Sequence, residues 1–493
     1  MKQKIEAAFD NINVHVIARS SRGDALQDVP LHTVEGSDFF TQDIFDSLAN
    51  NEADIAVHSL KDMSSEHFFG ANKFAVVDRD DVRDVVILSQ NASVKSERGE
   101  NLVIGTCSPR REEMAIGFLQ KALPRVNKNF RIETKSIRGN IDTRLRKLDS
   151  GEYDGIILAT AGLNRLLTPS AVSNPDGGHS INNLLKDKKL ILLPLIECAP
   201  APCQGAIVAE ANASNQKAME VLAAINDGKL TDACIQEKHI AKQYGVGCLQ
   251  RFGVTTIRYG NKEVIYAAGR DNEGTVFTTW TGLPGINMTD KNLFSATDLM
   301  GSFFTYDYNG ERSDIQEQVV YVANYKAVEQ KEVIEQLKGK RVWAAGTKTW
   351  FELAKKGIHV EGCADAFGLE FLQTAWQMPL FNISKKDIAV VTSNEAAEIW
   401  RSKGWNVYGT YSAKEKHAQE IEQRVKHADV LFWTSFRQYV QYQHAVKKDV
   451  IHVCSYGETA EQFKAAGISP VIFPNIKAFQ QWKQTSIRSH SVA

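Results

Sequence analysis

A short β-branched run followed by a turn and an amphipathic helical stretch recurs along this chain, and that recurrence most narrows what it can fold into. In the first half "ADIAVHSL", "LVIGT", "YDGIILATAGL" and "LILLPLI" carry the apolar runs, an alternation that specifies α/β domains. In the second half "VVYVANYKAVE", "RVWAAGTKTWFELAKKG", "IAVVTSNEAAEIWRSKG", "VLFWTSFRQYV" and "VIHVCSYGETAEQFKAAG" repeat strand, turn and helix as a second α/β module. Between the halves, "VTTIRYGNKEVIYAAGRDNEGTVFTTW" alternates at period two around Gly-Asn and Asn-Glu-Gly turns, which reads as a small antiparallel sheet. Residues 171–183, rich in Pro, Gly, Asn and Ser, read as a surface loop. With 493 residues the chain exceeds what one hydrophobic core organises, so three or more domains are expected.

Charge and apolar content exclude several classes of function. A formal net charge of -1 removes any global electrostatic reason to bind nucleic acid or an anionic membrane, so basic sites have to be local. No apolar run of about eighteen residues occurs, and the opening "MKQKIEAAFDNINVHV" lacks the apolar core of a signal peptide. A cytoplasmic monomer with neither nucleic acid nor membrane as partner is therefore expected. The seven cysteines are odd in number and form no C-x-x-C pair, which argues for reduced thiols and against both a disulfide framework and a metal site.

Basic residues of the first half gather at strand ends and helix starts, in "GTCSPRREE" (Arg110, Arg111), "IRGNIDTRLRKL" (Arg138, Arg144, Arg146) and "GLNRL" (Arg165). A strand ending in Gly-Thr-Cys-Ser offers backbone N–H groups and hydroxyls beside guanidiniums, which grip carboxylate or phosphate two-pronged. The expected ligand is polyanionic. Taken singly, each arginine is as often a solvated helix face; their joint placement favours the site. The run "ADIAVHSLKDMSS" delivers His58, Ser59, Lys61 and Asp62 to a strand's carboxyl end, where ligands of open α/β sheets bind. There a carboxylate can stabilise a developing cation, with Lys61 keeping it ionised. A lone Lys-Asp pair is more often a surface ion pair, and a lone His58 more often a core histidine.

Six ordered segments, "ADIAVHSLKDMSS", "RDDVRDVVI", "IGTCSPRREE", "IRGNIDTRLRKLDSGEYDGIILATAGLNRL", "PAPCQGAI" and "GVGCLQRFGV", resemble the signature blocks of the hydroxymethylbilane synthase, or porphobilinogen deaminase, family across residues 1–305. The resemblance implies two α/β lobes like those of periplasmic binding proteins and a small α+β domain: 1–78 with 200–222, 79–199, and 223–305. It implies a dipyrromethane cofactor held through a thioether on Cys248, which without the family reads as a small buried hydrophobe. The implied reaction joins four porphobilinogen molecules head to tail onto that primer with loss of ammonia, through a cationic azafulvene-like species, and releases hydroxymethylbilane. Asp62 matches the family aspartate that stabilises this cation. Lys61, Ser108, Arg110, Arg111, Arg138 and Arg144 match cofactor-binding positions, and Arg165, Thr106 and Gln204 substrate-binding ones. Ser37 and Gln42 stand where the family carries lysines, and no counterpart of the family's first strand precedes the opening helix.

The second half, 316–493, resembles uroporphyrinogen-III synthase in "VVYVANYKAVE", "AAGTKTWFELAKKGIHVEG", "GWNVYGTY", "VLFWTSFRQYV" and "SYGETAEQFKAAGISPVIFP". That implies two α/β lobes, about 316–407 and 408–480, which close the bilane to a ring. Tyr408 matches the family's proton-donating tyrosine, and Thr434, Ser435 and Thr459 match positions that hold substrate carboxylates. Two readings from other classes compete. A non-catalytic carboxylate- or tetrapyrrole-binding module also suits an arginine-lined cleft, whereas RNA binding through "RGNIDTRLRKL" lacks a broad basic face and interleaved aromatics.

Overall fold

The computed structural model describes residues 1–18, 42–64, 73–124, 130–168, 181–245, 250–308 and 314–490. Compact contacts divide the chain into two units: Met1–Gln120 with Asn127–Thr256 and Ile265–Thr278, and Lys121–Val126 with Ile257–Val264 and Thr279–Ala493. The chain is a mixed α/β, multidomain protein.

In the first unit β1 (Ala56–Ser59), β2 (Lys73–Arg79) and β8 (Ala206–Ala211) form a sheet in the order β1-β8-β2, antiparallel throughout. The second sheet runs β5-β4-β6-β3-β7, from β3 (Asp84–Leu88), β4 (Leu102–Gly105), β5 (Ile132–Lys135), β6 (Gly155–Ala159) and β7 (Lys189–Leu192). Here β4, β5 and β6 are parallel, and β3 inserts antiparallel between β6 and β7. Its five residues, Asp-Val-Val-Ile-Leu, are all buried, so a continuous apolar run rather than an alternating one marks the central strand. Val85, Val86, Ile87, Ile104, Ile156 and Ile157 lose all solvent contact, at about 1.5–3 kcal/mol of stabilisation each. The consequence for function is positional: the carboxyl ends of β4 and β5 and the amino end of β3 meet at one edge of this sheet.

The period-two stretch forms a three-stranded sheet, β11-β10-β9, from β9 (Arg251–Tyr259), β10 (Lys262–Arg270) and β11 (Val276–Thr281). The second turn is organised by Asp271, whose Oδ1 accepts from Glu273 N at 3.0 Å and Thr275 N at 2.8 Å.

The second unit has two sheets. One orders as β13-β18-β17-β14-β15-β16, from β13 (Phe304–Asp307), β14 (Val319–Val322), β15 (Arg341–Ala344), β16 (Val360–Cys363), β17 (Ile388–Ser393) and β18 (Asn406–Glu415). The other orders as β12-β19-β20-β21, from β12 (Leu293–Ser295), β19 (Val430–Trp433), β20 (Ile451–Ser455) and β21 (Val471–Phe473). All neighbours are parallel except β13 against β18. Aromatic edges lock the first core, with Trp343 and Tyr321 set edge-on to Trp376 at 5.9 and 6.2 Å; Phe432 stacks on Phe479 at 3.6 Å in the second.

The strand pairing departs from the sequence expectation at 293–307. Residues to 305 were assigned to a third deaminase domain, yet Leu293–Ser295 pairs with Val430–Phe432 and Phe304–Asp307 pairs with Ser412–Glu415. Phe294 and Phe303 are buried with Trp433 and Tyr442, so burial of two aromatic rings draws this segment into the second unit's sheets. Strands of three and four residues carry too little periodicity to reveal their partners.

Candidate functional site

The first unit gathers its charges around Asp84, at the amino end of β3. Its carboxylate is buried and accepts from Arg110 Nη2 at 2.7 Å, Arg111 Nη2 at 2.8 Å and Gln204 Nε2 at 2.9 Å. Burial alone would raise its pKa; the two guanidiniums outweigh burial and hold it well below the usual carboxylate range. Arg110 Nη1 also donates to Ala199 O at 2.8 Å, and Arg111 Nη1 to Ile157 O at 3.1 Å. The expectation that both guanidiniums face a ligand therefore needs correction: both are buried, with their Nη atoms engaged by protein acceptors. The Nε of Arg111 is buried without a hydrogen-bond partner.

Helix Pro109–Ala122 brings these arginines to the sheet edge. Pro109 opens the helix, where a missing N–H is harmless, and Ser108 Oγ accepts from Arg111 N at 3.4 Å. Thr106, buried just beyond β4, accepts from Ser108 N at 3.1 Å. Cys107 staples this turn to the one after β5: its Sγ donates to Ile137 O at 2.7 Å and accepts from Ile137 N at 3.2 Å. Arg138 follows directly. Arg144 sits in helix Ile141–Asp149, capped by Asn140, and its Nε donates to Gly139 O at 2.6 Å. Burial, then the positive charge of Arg111 and Arg138, lowers the pKa of Arg144, while Cys107 partly opposes them. The structure thus gathers Arg111, Arg138 and Arg144 into one repelling cluster.

Lys61 and Asp62 occupy a single turn beyond β1, pinned by two buried anchors, Leu60 and Met63. Asp62 is exposed and Lys61 half-buried. Asp62 favours the Lys61 ammonium most strongly, yet burial together with Arg111 and Arg110 outweighs it and leaves that pKa below its ordinary value. The pair therefore stands within the field of the Asp84 cluster. His58, one strand position earlier, is buried against Glu210 at 3.2 Å and serves the core.

Gln204 and Gly205 close the same edge, where β8 begins. Gln204 is buried and also donates to Val82 O at 2.7 Å. Gly205 has φ +83°, and a Cβ there would lie 2.5 Å from Asp80 O, so this crossing requires glycine. Arg165 is exposed and donates through Nη2 to Gly205 O at 2.5 Å. Cys248 and Ser37 lie outside the described residues. The ends of the cysteine segment are placed: Gly245, at φ +148°, packs where a Cβ would strike Asn272, and Gln250 Nε2 donates to Gly245 O at 3.2 Å.

In the second unit the structure brings Thr434, Ser435 and Thr459 to the carboxyl edge of the four-stranded sheet. Thr434 Oγ1 donates to Gln438 Oε1 at 3.0 Å, Ser435 precedes helix Phe436–Tyr442 with no side-chain cap, and Thr459 lies in the first turn of helix Glu458–Ala465. Tyr408 is not with them. Its hydroxyl donates to Glu317 Oε2 at 2.9 Å, beside Gln316 N at 3.5 Å, and both residues precede β14, at the amino side of the other sheet. Burial, then Glu317, raises its pKa, so it stays protonated at neutral pH.

Sequence reasoning missed Asp84, although the Arg-Asp-Asp-Val-Arg-Asp run before an apolar strand was visible. It also missed Ser455, whose hydroxyl is buried without a hydrogen-bond partner at the end of β20. Outside the cysteines, His417 and His444 contact the half-buried Glu422 carboxylate at 2.9 and 3.3 Å. Among the described residues no helix is long and apolar enough to cross a membrane.

Residues 1–220 match the family model described as porphobilinogen deaminase, dipyromethane cofactor binding domain. The chain is 32% identical over 288 residues to the porphobilinogen deaminase of Nostoc sp., a match spanning 57% of this chain and 80% of that protein. It is 33% identical over 286 residues to the enzyme of Streptococcus sanguinis, over 57% and 85%. Among solved structures, uroporphyrinogen-III synthetase from Helicobacter pylori aligns at 13% identity and a TM-score of 0.26, over 37% of this chain and 90% of that one.

Proposed function

From a chain that belongs to the porphobilinogen deaminase family, we propose a hydroxymethylbilane synthase that joins four porphobilinogen molecules into the linear bilane with release of ammonia. The observation that carries this reading is a linked set of charges in the first unit: Lys61 and Asp62 stand in the field of Asp84, Arg110 and Arg111, and Arg144 in that of Arg111 and Arg138.

The residues present fit a dipyrromethane cofactor. The named cations, Lys61, Arg110, Arg111, Arg138 and Arg144, are five against the two carboxylates Asp62 and Asp84, so five minus two leaves an excess of three positive charges. Acetate and propionate arms supply the balancing charge, and the unpartnered Arg111 Nε is a donor still to be satisfied. Arg138, Arg144, Arg111, Lys61 and Ser108 would hold the group, with Cys248 as its thioether anchor. When bound, it supplies the pyrrole carbon on which chain growth begins.

The rest is the chain's own work. Asp84 holds both guanidiniums by one oxygen each, so Arg110 acts by positioning Asp84 and, through it, Arg111. Asp62, exposed on a rigid turn, faces the positive charge that develops on porphobilinogen as its amine departs and stabilises it without moving. Arg165, Thr106 and Gln204 shape the substrate side through Gly205 and the turn after β4. The second half then closes the bilane to uroporphyrinogen III; the sequence resemblance supports this step, with Tyr408 as the protonated donor and Thr434, Ser435 and Thr459 holding carboxylates.

Intact mass tests the first reading. The chain, made with porphobilinogen present, should exceed its sequence mass by one two-pyrrole unit, and Cys248→Ser should lack that excess. An unmodified wild-type chain would favour the non-catalytic binding module instead.

A further inference from the structure

At the carboxyl edge of the six-stranded sheet, two lysines stand among tyrosine rings. Tyr325 and Lys326 follow β14 directly, and Lys348 follows β15 in helix Thr347–Lys355. Lys326 Nζ lies 4.4 Å from the ring centre of Tyr306 and 4.5 Å from that of Tyr325, and is 3.1 Å from Tyr325 Oη. Lys348 Nζ lies 5.0 Å from the Tyr325 ring. Tyr411, opposite Ser393 at the end of β17, lies 6.0 Å from Tyr306 and 6.1 Å from Tyr308 between ring centres.

Neither ammonium has a carboxylate partner among the described residues. Lys326 is partly buried, which opposes its charge; the Tyr325 and Tyr306 hydroxyls outweigh that and raise its pKa. A cation–π contact is worth about 0.5–1 kcal/mol at an exposed site, whereas a carboxylate would satisfy both ammoniums at once. The helix that carries Lys348 begins at Gly346 with no side-chain cap, so its first N–H groups add donors beside the lysine. The tyrosine faces suit a flat, electron-rich ring. In parallel sheets, this carboxyl edge is where ligands bind.

Resting on the ring-closing role of the second half, we propose that Lys326 and Lys348, walled by Tyr306, Tyr308, Tyr325 and Tyr411, form a binding site for the carboxylate arms and a pyrrole ring of a polycarboxylate tetrapyrrole. The site contrasts with Tyr408, whose hydroxyl points to the opposite edge of the same sheet. Lys326 and Lys348 bind and orient; no proton transfer is assigned to them.

The experiment uses the full chain and uroporphyrin I, a stable fluorescent octacarboxylate, titrated by fluorescence, together with KM for bilane closure. Lys326→Gln with Lys348→Gln should weaken one bound equivalent by at least about tenfold, and Lys326→Arg alone should restore most of it because charge is kept. Should the double variant misfold, as judged by near-UV circular dichroism, Lys348→Gln at its exposed position carries the same test with a several-fold loss. Binding and KM unchanged in the variant that folds would overturn the site, even where ring closure is intact. Lysine-dependent uroporphyrin binding in a chain that fails to close bilane would uphold the site and reject the ring-closing reading.

Discussion

The two units hold their functional groups by different physics. In the first, Arg110, Arg111 and Gln204 all engage one buried carboxylate, Lys61 stands within that field, and Arg144 stands in the field of Arg111 and Arg138. In the second, Thr434 and Ser435 precede one helix, Thr459 lies in the first turn of another, and Tyr408 is tied to Glu317. A coupled charge network announces itself through clustered residue types; scattered hydroxyls do not. The difference teaches that site legibility follows the cost of burial, because buried charge requires partners whereas a hydroxyl is tolerated almost anywhere.

Breaking the network should have the largest effect. Asp84→Ala leaves two buried guanidiniums without their carboxylate and is expected to destabilise the first unit by about 3–5 kcal/mol, seen as an early thermal transition. Because the folded-state pKa of Asp84 lies below its ordinary 3.8, the stability it contributes is fully present above that pH. It is lost as the pH falls further toward the folded value. Asp84→Asn should therefore be less stable at neutral pH but show a flatter decline in acid, and an unchanged acid profile would deny the network its coupling.

Next in size, Asp62→Ala should retain the primer mass yet lower porphobilinogen turnover about 10²–10³-fold, the range for removing one preorganised electrostatic partner. Normal turnover would remove Asp62 from the mechanism. For the scattered site, Tyr408→Phe should slow ring closure about 10²-fold, with porphobilinogen consumption as internal reference. A closure rate equal to wild type would assign the proton donor elsewhere. The smallest expected change is Asn140→Ala, which removes the cap on the helix carrying Arg144 and should cost about 1 kcal/mol in a denaturant titration.

Much of the fold was legible because apolar runs such as Gly155–Ala159 and Val319–Val322 are buried almost throughout, as central strands are. That Lys61, Asp62 and the arginines stand at strand ends and helix starts was legible from the apolar runs that precede them. Their partners were not: sequence gives no hint that Asp84 receives both guanidiniums, since the contact spans 26 and 27 residues. Tyr408 was legible only by resemblance, and its hydroxyl's direction depends on Glu317, which precedes β14, a strand two places away in the sheet. Ser455 and the Lys326 cluster escaped because a serine or lysine after a strand has no distinctive neighbours in the chain.

The short strands β12 and β13 bear on how the two units come to share one chain. A cut near residue 310, where the family resemblance changes, would separate Leu293–Ser295 and Phe304–Asp307 from the sheets they complete. The downstream fragment would expose the ladder edges of Val430–Phe432 and Ser412–Glu415, the open edges that invite aggregation. The fusion is therefore not a tether between portable cassettes. Once one strand of each of the second unit's two sheets is encoded before the junction, fission into separate genes requires a compensating duplication of that segment, which makes the joined state hard to reverse.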